Sequence, residues 1–172
     1  MQKVRIPQKL DPIRSAQRRL GYEGIIPKEC FKRLSDMVET ILDDIEVTIS
    51  FGVDLQGLTA IEGRACTAVK CVCERCGESV VEDLAVDFKY TPDQKKVEAL
   101  GINVEYDFVE VDEFGEIDLV TLVEDEFILS LPIVPKHDVC PNFKGEWVSG
   151  EIEEDTKANP FAVLNELKSK KN

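Results

Sequence analysis

Hydrophobic and polar residues alternate across residues 45–53, where Ile45, Val47, Ile49, Phe51 and Val53 interleave with Glu46, Thr48 and Ser50. A period of two sends successive side chains to opposite faces of a strand, so this run predicts a strand with one buried face. Asp54-Leu55-Gln56-Gly57 is a turn, and residues 58–63 and 65–72 continue as strand. Cys73 to Gly77 turns the chain again. Residues 80–90 return with Leu84, Val86 and Phe88 in alternation. The pattern is an antiparallel meander of about three or four strands.

Helical signals flank this meander. Asp11 as N-cap and Pro12 at the first helical position open a short helix that reaches Leu20 and stops at Gly21. Ile13, Ala16, Gln17 and Leu20 share one face of it, beside Arg14 and Arg18. Residues 22–26 read as a strand and residues 27–40 as a helix with Phe31, Leu34 and Val38 inward. Residues 91–101 are polar and read as a loop, and residues 104–111 as a further strand. Asp118 caps a helix in which Leu119, Val123 and Phe127 recur every four residues and face the sheet. Leu131-Pro132-Ile133-Val134-Pro135 ends it. Residues 145–157 are polar and acidic, a composition that predicts flexibility. Asn159-Pro160 caps a last short helix over residues 161–168. The expected class is α+β: an antiparallel β-meander sheet packed by a few helices, with a flexible acidic segment near the C-terminus. Residues 1–145 form the expected domain, and residues 146–172 an acidic linker with a short C-terminal helix.

At 172 residues the chain can bury one core, or one core plus a small appendage. It contains no run of eighteen apolar residues and opens without an apolar signal region, which predicts a cytoplasmic protein with no membrane insertion. In a reducing compartment the six cysteines read as thiols or metal ligands rather than a disulfide framework. The formal charge is −13, from 34 acids against 21 bases. The charge is unevenly spread. Residues 3–33 are rich in Lys and Arg, whereas residues 102–131 contain no base at all. An acidic chain with a basic end suits an adaptor with two kinds of partner; two solvated faces are the simpler alternative.

Cys73-Glu74-Arg75-Cys76-Gly77 is a CxxC turn, and His137 and Cys140 repeat its spacing downstream. Zinc takes four such ligands in a tetrahedron, so Cys73, Cys76, His137 and Cys140 are candidate ligands, with Cys71 a nearby competing thiol. A redox pair and an unused β-turn are the alternatives. A thioredoxin-like CxxC opens a helix, whereas this one joins two strands. His137 is the sole histidine, so any histidine general base is this residue. No nucleophile elbow or phosphate loop is present, and the expectation is that the protein is not an enzyme. Arg14, Arg18 and Arg19 are candidates for phosphate contact, though no aromatic stacking platform accompanies them. Glu113, Glu116 and Asp118 are candidates for contact with a basic partner.

Longer motifs point to a family. They are residues 10–20, Leu10-Asp11-Pro12-Ile13-Arg14-Ser15-Ala16-Gln17-Arg18-Arg19-Leu20, with Tyr22-Glu23-Gly24; Cys73-Glu74-Arg75-Cys76; Val111-Asp112-Glu113-Phe114-Gly115-Glu116-Ile117-Asp118-Leu119; Val123-Glu124-Asp125-Glu126; Leu131-Pro132-Ile133-Val134-Pro135-Lys136-His137-Asp138; and Asn159-Pro160-Phe161-Ala162-Val163-Leu164. With these the chain resembles the YceD family, the large ribosomal RNA subunit accumulation proteins of bacteria. The resemblance covers nearly the whole chain. It implies a role in synthesis, processing or stability of large-subunit (23S) ribosomal RNA, with no established catalytic activity. Some relatives carry more cysteines after the Leu-Pro segment, which looks like metal binding; this chain has only Cys140 there, so the resemblance implies half a metal site at most. The expected partners are large-subunit ribosomal RNA or its precursor, or basic ribosomal proteins, with protein slightly favoured by the net negative charge. Neighbouring genes in the family suggest a rival, an interaction module tied to fatty-acid or phospholipid synthesis. A zinc- or thiol-dependent enzyme centred on Cys73, Cys76 and His137 is the third reading.

Overall fold

The computed structural model describes residues 4–101 and 105–141, and all of them fall within one compact unit, residues 1–142. In chain order the elements are β1 (Val4–Arg5), β2 (Lys9–Leu10), α1 (Pro12–Gln17), β3 (Gly21–Ile26), a 3-10 turn (Lys28–Cys30), α2 (Lys32–Met37), β4 (Thr40–Ile41) and β5 (Ile45–Val53). There follow β6 (Thr59–Val72), β7 (Ser79–Thr91), α3 (Gln94–Leu100), β8 (Asp107–Phe108), β9 (Ile117–Asp118) and α4 (Leu119–Ser130). The expected helix over residues 161–168 and the acidic segment before it lie outside the described residues.

The α+β expectation holds. One sheet runs in the order β1-β3-β5-β6-β7-β8, with β4 also on β6, and β2 pairs separately with β9. Its centre is the antiparallel meander β5-β6-β7; β1 on β3 and β8 on β7 are the parallel pairs. The alternation in β5 does what its period requires: Ile45, Val47, Ile49 and Phe51 are buried, while Glu46, Thr48 and Ser50 are exposed. The same face continues through Ala65 opposite Val86 and Thr67 opposite Leu84. On it Gly63 lies opposite Phe88, and a β-carbon there would meet the Phe88 ring at 2.3 Å, so the ring occupies the space that a side chain would need.

Helices close this inner face. Leu119, Val123 and Phe127 of α4 are fully buried, and Phe127 meets Phe31 edge-on at 6.3 Å. Asp118 caps α4 as expected, its Oδ1 accepting from the amides of Val120 and Thr121.

Four local expectations change. α1 ends at Gln17, not Leu20. Arg18 forms its C-cap and Arg19 takes a left-handed φ of 52°; the buried residues are Pro12, Ser15 and Ala16, with Gln17 exposed. The single helix expected over residues 27–40 is broken at Phe31, whose φ and ψ of −95° and 73° drive its ring into the core and separate the 3-10 turn from α2. The expected loop over residues 91–101 contains α3, stopped by Gly101 at a φ of 61°. Of the strand expected over residues 104–111, Asp107–Phe108 is paired.

Candidate functional site

The β6–β7 connection is a tight turn. The Cys73 amide donates to the Glu78 carbonyl at 2.8 Å, and the Gly77 amide to the Cys73 carbonyl at 2.8 Å. Gly77 sits at a φ of 76°, a conformation that favours glycine. The segment after α4 then crosses this turn, where the Glu74 amide donates to the Pro135 carbonyl at 2.9 Å. These bonds bring together Cys73, Cys76, His137 and Cys140, whose ligand atoms all lie within 4.8 Å of one another. Cys73 Sγ is 3.8 Å from Cys140 Sγ, and Cys76 Sγ is 3.5 Å from His137 Nδ1. Cys73 and Cys140 are buried; Cys76 and His137 are half-buried.

His137 Nε2 lies 3.1 Å from the Ser79 carbonyl. A carbonyl only accepts, so Nε2 carries the proton, and in the neutral ring Nδ1 keeps its lone pair toward Cys76. Burial raises the cost of ionising Cys73, but backbone hydrogen bonds from His137, Cys76 and Arg75 outweigh it, and the thiol falls to about 5. Cys140 moves the other way, raised by burial and by the sulfurs of Cys73 and Cys76. Cys71 lies outside the cluster: it is buried on the core face, its thiol pushed up by burial. Three thiols and one imidazole form a donor set suited to a borderline-soft cation.

The charged candidates sit elsewhere. Arg14 pairs with Asp11 at 3.2 Å, while the exposed side chains of Arg18 and Arg19 have no ion-pair partner among the described residues. Glu113 is exposed, Glu116 half-buried, and Asp118 is engaged in capping α4. The basic and acidic stretches meet through β2 and β9, where Lys9 lies opposite Asp118 and its Nζ pairs with Asp112 at 3.0 Å. Asp112 also accepts from the Phe114 and Glu116 amides, and these bonds, led by the one from Glu116, hold its carboxyl below the usual range.

Two sets of residues are given no role by the sequence, Glu124 among them although it lies inside the Val123-Glu124-Asp125-Glu126 motif. Buried Glu124 of α4 binds Arg33 at 2.9 Å and the Leu34 amide at 3.1 Å; no local pattern signals a contact across 90 residues. The outer sheet face also carries a groove whose lining includes Asp43, Asp44 and Asp83 and, among the described residues, no base. A second groove there is lined by Glu62, Asp87, Glu105, Asp107 and Glu126, with Arg64 and Lys89.

The fold and this cluster define an α+β scaffold with one open, mainly acidic sheet face and a Cys3His cluster on a hairpin. The family model described as "Large ribosomal RNA subunit accumulation protein YceD" matches residues 61–168, a span that holds the hairpin, the acidic stretch and the cluster. A protein of Haemophilus influenzae with the same description is 42% identical over 174 residues, covering 99% of this chain and 100% of the relative. The chain belongs to the YceD family. No solved structure matches it. Among the described residues no helix is long and apolar enough to cross a membrane.

Proposed function

We propose that this protein supports the accumulation of large-subunit ribosomal RNA as a non-catalytic, cytoplasmic binding factor, and that it does so by holding a basic ribosomal protein on its acidic sheet face. Membership of the YceD family supports the first part. The second rests on one observation, the groove lined by Asp43, Asp44 and Asp83, with no base among its described lining residues. Much of the positive charge of the N-terminal third is taken up internally: Lys9 by Asp112, Arg33 by Glu124 and Asp125, Arg14 by Asp11, and Lys28 by the carbonyls of Ile41 and Leu42. With a net charge of −13 the chain's overall field is negative, which attracts a cationic protein and repels RNA.

Cross-linking of the full chain in growing cells, followed by identification of bound protein and RNA, tests this. The expected result is recovery of large-subunit ribosomal proteins, reduced in an Asp43→Asn/Asp83→Asn variant that folds normally. Failure to recover either large-subunit protein or large-subunit RNA overturns the reading. Direct RNA contact is the second reading, favoured by the exposed side chains of Arg18 and Arg19 at the end of α1. It predicts recovery of RNA that is lost with Arg18→Glu/Arg19→Glu and insensitive to the acidic variant.

A further inference from the structure

We propose that Cys73, Cys76, His137 and Cys140 bind a single Zn²⁺ ion in a closed structural site, and that the ion clamps the segment after α4 onto the β6–β7 hairpin. The inference stands on the geometry of this cluster and is independent of the partner proposed above.

The distances suit a mononuclear tetrahedral site. With zinc–sulfur bonds of about 2.3 Å and zinc–nitrogen bonds of about 2.0 Å, tetrahedral edges come to about 3.8 Å between sulfurs and about 3.5 Å between sulfur and nitrogen. Cys73 and Cys140 lie 3.8 Å apart, and Cys76 Sγ and His137 Nδ1 lie 3.5 Å apart. The remaining separations are within 4.8 Å, so about 1.3 Å of contraction at most closes the tetrahedron. An iron–sulfur cluster holds its protein ligands around several metal atoms and would need them farther apart.

The surroundings suit zinc as well. The Ser79 carbonyl fixes the His137 tautomer that presents Nδ1, the outer contact typical of a ligating imidazole. Four protein donors leave no open position, so the site is structural rather than catalytic.

The segment itself supplies the reason for a clamp. Residues 131–140 form no helix or strand. They leave Ile133, Val134 and Val139 exposed, and they are tied to the hairpin by the Glu74 amide on the Pro135 carbonyl, the His137 amide on Cys73 and the His137 ring on the Ser79 carbonyl. Each such bond contributes on the order of 1 kcal/mol, together too little to order ten residues whose backbone entropy alone costs about 1 kcal/mol each. Burying Leu131 and Cys140 in part offsets little of that. A coordinated ion fixes both ends of the crossing at once.

Full-length protein, produced without a metal-binding tag and purified under reducing conditions without chelator, is assayed for bound metals and titrated with Co²⁺ after chelation. The expected results are one zinc per chain and, with Co²⁺, the intense visible bands and thiolate charge-transfer absorption of a tetrahedral sulfur-rich site. Cys140→Ser and His137→Ala lose bound zinc, while Cys66→Ser, at a thiol outside the cluster, keeps it. Should the ligand variants fail to fold, hydrogen exchange on the wild-type chain decides: chelation is expected to speed exchange at the Glu74 amide and spare the centre of β6. Absence of zinc together with absence of cobalt bands overturns the inference, as does a Cys73–Cys140 disulfide in place of bound metal or octahedral cobalt spectra.

Discussion

Replacing Glu124 by alanine tests how the two helices on the inner face are joined. Glu124 is 5% exposed. Its Oε1 accepts from the Leu34 amide at 3.1 Å and its Oε2 from Arg33 Nε at 2.9 Å. Leu34 lies in the first turn of α2, where amides have no partner within the helix, and Phe31 at the N-cap has no side-chain acceptor. Glu124 therefore caps α2 from another helix. Alanine strands the Leu34 amide in a fully buried residue, a loss of about 2 kcal/mol. Arg33 is half-exposed and keeps its contact with Asp125 at 2.7 Å, so loss of that ion pair adds only about 1 kcal/mol. The expected total is about 3 kcal/mol, or a fall in Tm of roughly 6–12 °C for a chain of this size. Glutamine still offers Oε1 to Leu34 but turns an amide toward Arg33, and should cost about 1 kcal/mol. Urea unfolding by linear extrapolation reads both variants. A Glu124→Ala chain within about 0.5 kcal/mol of wild type, or a Glu124→Gln chain as unstable as it, refutes the capping argument.

Other consequences are sharp enough to measure. Gly63→Ala places a β-carbon 2.3 Å from the Phe88 ring and should destabilise by about 1–3 kcal/mol in chemical denaturation. Asp118→Ala removes the acceptor for two amides of α4 and should cost about 1 kcal/mol by the same assay. The Asp112 carboxyl is held low in the folded chain, first by the Glu116 amide and then by Lys9, so its contribution is fully present above the unfolded value of about 3.9 and is lost as pH falls through the lower folded value. The stability difference between wild type and Asp112→Asn should accordingly be constant near neutrality, begin to shrink below about pH 4, and lose its pH-dependent part once pH is below the lower folded value.

Elements whose signal is local were legible in the sequence. The alternation at residues 45–53 coincides with β5, because a half-buried strand must show it. Asp118 and the Leu119, Val123, Phe127 spacing locate α4 because cap and stripe are properties of neighbouring residues. The failures have tertiary causes. Phe31 leaves helical conformation because its ring is needed against Phe127, far along the chain. Gln94 to Leu100 are good helix formers with a glycine stop, but with Val97 as the one buried side chain the segment lacks an apolar stripe and reads as loop. In the cluster, the spacings of both pairs were visible. Their convergence was not, since it depends on the Glu74–Pro135 and His137–Ser79 bonds across 61 and 58 residues.

The way the sheet ends bears on how a partner would be read. β7 pairs with β8 only at Tyr90 and Thr91, so along residues 79–89 no described strand takes its far side. A long free edge invites addition of a foreign strand unless something obstructs it. Here α4 packs against β7, the His137 ring takes the Ser79 carbonyl at the start of the strand, and Asp83, Asp87 and Lys89 place charges along it. Backbone pairing is thereby discouraged, while the outer face keeps its carboxylates in open grooves. Recognition through that face would run through side-chain charge, with the surface of the sheet as the platform and its edge held closed.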